Sequence, residues 1–128
     1  MSVRVLGIAA LNKKLGRIEQ EARRSSVDAV RKSAEVVAEE ARSLAPVRTG
    51  DLRRSITHGP GETKDTARAG TNLWRAHFTE FGTSATGKRD FGTPAQPFLF
   101  PAFEAKRQQV VQSIIAARVR GAIRGALQ

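Results

Sequence analysis

The stretch most suggestive of chemistry is Gly82-Thr83-Ser84-Ala85-Thr86-Gly87-Lys88-Arg89. It follows G-x-x-x-x-G-K-[ST], the pattern of a loop that wraps nucleotide phosphates in backbone N–H groups, at every position but the last. Arg89 stands there in place of the Ser or Thr whose hydroxyl would hold magnesium. Such a loop should also leave a buried parallel strand and open a helix, whereas Phe91-Gly92-Thr93-Pro94 breaks a helix at once. No Val/Ile-rich strand ending in Asp supplies the second half of a nucleotide site. The two histidines, His58 and His77, have no metal-ligand spacing to each other or to a carboxylate pair. Carboxylates are scattered, with no pair placed for acid–base work. Cysteine is absent, which excludes disulfides, thiolate zinc sites and cysteine nucleophiles. The sequence therefore predicts no enzyme, no cofactor and no metal.

Charge is the strongest compositional signal. Lys and Arg number 22 against 12 Asp and Glu, a net charge of +10 that favours anionic partners. The surplus is spread along the chain, except that residues 102–128 hold five basic side chains and one acidic. Arg118, Arg120 and Arg124 in that segment are candidates for contact with DNA or an acidic surface. One reading of the whole is a basic, non-specific DNA-binding protein. Against sequence-specific recognition, no helix-turn-helix, zinc finger or paired stacking aromatics can be found. Tyrosine is absent, and Trp and Phe are expected in the core, leaving few platforms for bases. No apolar run approaches the roughly 20 residues that span a bilayer, and the apolar start is short for an export signal, so no membrane partner is expected.

The elements that would position these residues form one α+β domain over 1–128. Val3, Val5 and Leu6 read as a short strand or ordered arm, ended by Gly7. A long helix is predicted over 8–44, with Leu11, Leu15, Ile18, Ala22, Val30, Ala34, Val37, Ala41 and Leu44 on its buried stripe. It either bends at Ser25-Ser26 or projects past the core. Its second half narrows to Ala and Val, which lets another backbone approach. Pro46 stops it, and Ala45–Ile56 reads as a change of direction in which Thr49 can cap a turn and Gly50 and Asp51 suit tight positions. Residues 55–72 read as a β-hairpin around a Gly/Pro-rich connection. Leu73–Phe81 reads as a short helical turn capped by Asn72, with Trp74, Phe78 and Phe81 in the core and Glu80 paired with an arginine or facing a partner. Residues 82–97 are too polar for core and long for a connection. A second helix is predicted over 102–121, buried through Phe103, Val110, Ile114 and Ala117, with Glu104 in its first turn and a tail weakened by Gly121 and Gly125.

Three strings in this order carry a resemblance: Ala45-Pro46-Val47-Arg48-Thr49-Gly50-Asp51-Leu52-Arg53-Arg54-Ser55-Ile56, then Ala76-His77-Phe78-Thr79-Glu80-Phe81-Gly82-Thr83, then Pro94-Ala95-Gln96-Pro97-Phe98-Leu99-Phe100-Pro101-Ala102-Phe103. Together the chain resembles the head–tail joining, or tail-completion, family of long-tailed bacteriophages. The resemblance implies a structural protein of the virion neck or tail, assembled in the bacterial host cytoplasm. It implies a homo-oligomeric ring, of six copies, that joins the DNA-filled head to the tail. Its partners would be a neighbouring neck ring and tail tube or terminator proteins, with DNA in the channel. On this reading 82–97 is an assembly loop anchored by Phe91. The expected subunit contacts are Arg48, Thr49, Asp51, Arg53, Arg54, Glu80, Lys88, Arg89 and Phe91.

Overall fold

The computed structural model describes residues 2–48, 50–83 and 92–128. In chain order they form α1 (Ile8–Leu44), α2 (Asp51–Ser55), β1 (Ile56–Pro60), β2 (Ala67–Thr71), α3 (Ala76–Phe81) and α4 (Leu99–Leu127). The α+β class and the bounds of the long first helix agree with the sequence reading. At 37 residues α1 is about 55 Å long, and the 29-residue α4 lies antiparallel along it for about 44 Å.

Small side chains decide how these two helices meet. Ala22, Ala29, Ser33, Ala34, Ala38 and Ala41 are the buried residues of α1, and Ala102, Ala117, Gly121 and Gly125 those of α4. A methyl group added at Gly121 would lie 2.5 Å from the Glu21 carbonyl oxygen, and one at Gly125 would lie 2.8 Å from Ile18 Cα. The two backbones are in contact there. Gly121 and Gly125 therefore do not fray the tail; they are where α1 comes closest, and the helix continues past them to Leu127. The Ser33 hydroxyl is satisfied within α1 by donating to the Ala29 carbonyl at 2.7 Å.

The antiparallel register leaves the first two turns of α1 beyond α4, since Gly125 already stands opposite Arg17 and Ile18. Leu11 and Leu15, predicted as core, are consequently 57% and 53% exposed. α1 runs unbroken through Ser25-Ser26 and projects past the core.

At the other end, Ala38, Ala41, Ala45, Ile56, Ala76, Phe98 and Ala102 form the principal core. Among the described residues, Phe98 and Ile56 are its fully buried large side chains. The antiparallel hairpin β1–β2, with Ile56 opposite Thr71 and Pro60 opposite Ala67, lies against α1. The Arg42 guanidinium fastens it by donating from Nε and Nη2 to the Ile56 carbonyl at 3.0 and 2.8 Å. Gly50 takes the left-handed conformation (φ 80°) that turns the chain into α2, a single helical turn within the stretch read from sequence as a change of direction.

α3 is helical as expected, but Arg75, not Asn72, stands at its cap position, without a side-chain cap bond. Its inward face is Ala76 and Glu80, four residues apart. Trp74, Phe78 and Phe81, expected in the core, are turned outward at 70%, 39% and 79% exposure. The aromatic spacing is helical, but the face turned inward is the one whose Ala76 joins the core and whose Glu80 reaches the start of α4. Phe103 is also exposed, while Val110 and Ile114 are half-buried beside buried Ala117.

Candidate assembly surface

The most constrained polar group of the described residues is Glu80. It is 9% exposed, and α3 aims its carboxylate at the first turn of α4. Oε2 accepts from the backbone N–H groups of Phe98 (2.8 Å) and Leu99 (3.0 Å), and Oε1 from that of Phe100 (3.0 Å). These donors have no partner within the helix, and the positive end of the helix dipole lies at the same place. Burial pushes the Glu80 carboxyl up, but the three donors together outweigh it and hold the group below its ordinary value. Among the described residues Glu80 thus pairs with no arginine. It clamps α4 onto α3. The helix starts three residues before the predicted Ala102 because Pro101 needs no N–H in the first turn. Glu104 accordingly falls outside that turn, and Glu80 supplies the negative charge from another element.

The residues after Glu80 close the base of a loop. Gly82 has φ 74°, and a Cβ there would lie 2.7 Å from the Thr93 carbonyl oxygen and 2.8 Å from Ala95 N. Both conformation and space therefore require glycine. Thr83 N–H donates to the Thr93 carbonyl (3.0 Å), Thr93 N–H donates to Thr83 Oγ1 (2.9 Å), and Gln96 N–H donates to the Thr79 carbonyl (2.8 Å). Each member of Glu80-Phe81-Gly82-Thr83 except Phe81 thus has a structural task.

Beside this base lies a cavity of about 570 Å³ bordered by Arg48, Asp51, Arg75, Thr79, Thr93 and Gln96. Asp51 meets Arg54 at 2.6 Å and Arg75 at 3.9 Å. Of the expected contact residues the fold therefore gathers Arg48, Asp51 and Arg54, and adds Arg75, which the sequence reading passed over. Arg53 is exposed on α2, and Glu80 is withdrawn beneath the surface. Thr49, Lys88, Arg89 and Phe91 lie outside the described residues. Arg118, Arg120 and Arg124 are exposed on α4, away from this cavity. Among the described residues no group of His, Asp or Glu is placed to hold a metal ion, and no helix is long and apolar enough to cross a membrane.

Residues 9–82, more than half of the chain, match the family model described as "Bacteriophage HK97-gp10, putative tail-component". The chain belongs to this family of phage tail components. No curated protein and no solved structure matches it. The matched span runs from α1 to the turn at Gly82 and so includes the Glu80 clamp but not the helix it holds.

The surface of this tail component has a second notable region, which the sequence reading missed. Val111, Ile115, Val119, Ile123 and Leu127 recur every four residues on the side of α4 away from α1, and all are exposed. With Gly121 and Gly125 turned inward, the large side chains of this segment are left outside. Reading those glycines as a helix contact would have revealed the ridge.

Proposed function

We propose that this tail component is a ring subunit at the head–tail junction, joining the DNA-filled head to the tail by heterologous, head-to-tail contacts between six copies. The observation that carries the reading is the area left uncovered. The chain exposes 9872 Å², against about 6,700 Å² expected for a compact monomer of its mass. The excess of about 3,200 Å² is twice the roughly 1,600 Å² that a ring subunit gives up at two ordinary interfaces. Much of it is apolar, along the outer ridge of α4 and the projecting start of α1. The cavity between Arg48, Asp51 and Arg75, with the loop base beside it, fits a contact with a neighbouring neck or tail ring. The test is complementation: particles made without the protein are incubated with the purified chain and imaged. Filled heads joined to tails only on addition are expected. Particles that join equally well without it would overturn the proposal.

One observation favours nucleic acid as a further contact. Residues 1–24 carry six basic and two acidic side chains and residues 112–128 three and none, so the free end of the helical hairpin holds +7 of the net +10. That end would face the DNA channel or an acidic ring.

A further inference from the structure

An apolar groove of about 560 Å³ opens between α1, β2 and the start of α4, lined by Val37, Ala67, Ala69, Phe81, Phe100 and Phe103. Glu80, its one charged neighbour among the described residues, is committed to the α4 backbone. Among the described residues β2 has a strand on one side only, so a row of its backbone groups faces outward beside the groove. At the far end of α1 lies a segment with the opposite deficiency. Val3, Val5 and Leu6 are 90%, 67% and 76% exposed, and Val3 and Val5 alternate as on a strand. Gly7, in the left-handed conformation at φ 88°, turns this segment off the helix axis.

We propose that residues 2–6 of one copy lie along the open edge of β2 of the next copy, with Val3 and Val5 in the groove. The pairing rests on the ring reading and gives it a specific contact. Geometry excludes the same chain as donor. Val30, the groove residue of α1 nearest its start, is 22 residues beyond Ile8, about 33 Å along the helix. Residues 1–7 span at most about 25 Å when fully extended. The donor and acceptor surfaces differ and lie at opposite ends of the subunit, so the contact is heterologous and repeats around a ring. Strand addition of this kind takes its affinity from main-chain hydrogen bonds and its register from alternate side chains.

The chain has no cysteine, so introduced thiols report the contact directly. Val5→Cys and Ala69→Cys single variants of the full chain are mixed, mildly oxidised and resolved without reductant, with Arg24→Cys as an exposed control. The expected product is a Val5→Cys/Ala69→Cys adduct at least tenfold more abundant than any adduct with the control. A Val3→Asp, Val5→Asp variant should keep its helical circular dichroism and need at least tenfold more protein to assemble. A ring mass by light scattering with no such adduct would overturn the arm placement and leave the ring standing. The adduct in a protein that never exceeds a dimer would overturn the ring and keep the pairing. An internal disulfide in an Ala69→Cys, Phe91→Cys double variant, without the Val5 adduct, would assign the groove to the chain's own residues 84–91 and overturn the proposal.

Discussion

The clamp on α4 gives the most specific prediction. Replacing Glu80 by Ala removes the acceptor for three backbone N–H groups. Phe98, the first of them, is fully buried, so its N–H would lose its partner without gaining water; Leu99 is half-buried and Phe100 exposed, so theirs can be rehydrated. A hydrogen bond to a charged group contributes about 1.5–3 kcal/mol, and loss of a helix cap alone costs about 1 kcal/mol. Counting the Phe98 bond near the upper figure and the other two together as one cap gives about 3–4 kcal/mol for Glu80→Ala. Glu80→Gln keeps one acceptor oxygen and should lose about half of that. Against a total stability of about 5–15 kcal/mol the effect is large. Urea unfolding followed by circular dichroism at fixed protein concentration measures it, because assembly would otherwise shift the midpoint. The sign with pH follows from the depressed carboxyl. Its contribution is complete above the ordinary glutamate value of about 4.3 and is lost as pH falls through the lower folded value. The wild type should therefore lose stability between those values, and Glu80→Gln should lose less over the same range. A cost below about 0.5 kcal/mol for Glu80→Ala, or equal acid sensitivity in wild type and Glu80→Gln, would refute this reasoning.

Further outcomes follow from the helix contact and the surface. Gly121→Ala should destabilise by about 1–3 kcal/mol in the same urea assay, because overpacking against the Glu21 carbonyl outweighs the gain in helix propensity. Gly16→Ala has open space on α1 and should stabilise by up to about 1 kcal/mol. Leu11→Ser and Leu15→Ser change exposed positions and should each alter urea stability of the dissociated chain by under about 0.5 kcal/mol. Replacing Arg118, Arg120 and Arg124 together by Gln should weaken retention of a short DNA duplex at low salt and flatten its salt dependence, measured by fluorescence anisotropy.

What the sequence disclosed was governed by spacing. The Ala/Val periodicity of α1 and the turn chemistry around the hairpin are local signals, and both were legible. Burial was harder to read wherever small residues, not large ones, face inward. Trp74, Phe78 and Phe81 keep helical spacing yet point outward, because Ala76 joins the core around Phe98 and Glu80 bonds the start of α4. Gly121 and Gly125 suggested a weak tail because their cost to an isolated helix is local, whereas the fit against Ile18 and Glu21 depends on register with a helix some hundred residues earlier. Glu80 was recognised as part of a motif, but its partners lie 18 to 20 residues later, and backbone donors leave no mark in sequence. Pro101 was the available hint, since a proline followed by an apolar stripe marks a helix start at or just before it.

The central claim is that this tail component exists as a ring whose contacts cover its excess surface. Light scattering after size exclusion, without DNA and over a range of protein concentration, tests it most directly. A mass of six 13.9 kDa chains, about 83 kDa, is expected already in the absence of DNA. A single-chain mass of 13.9 kDa at every concentration, rising only when DNA is present, would contradict it.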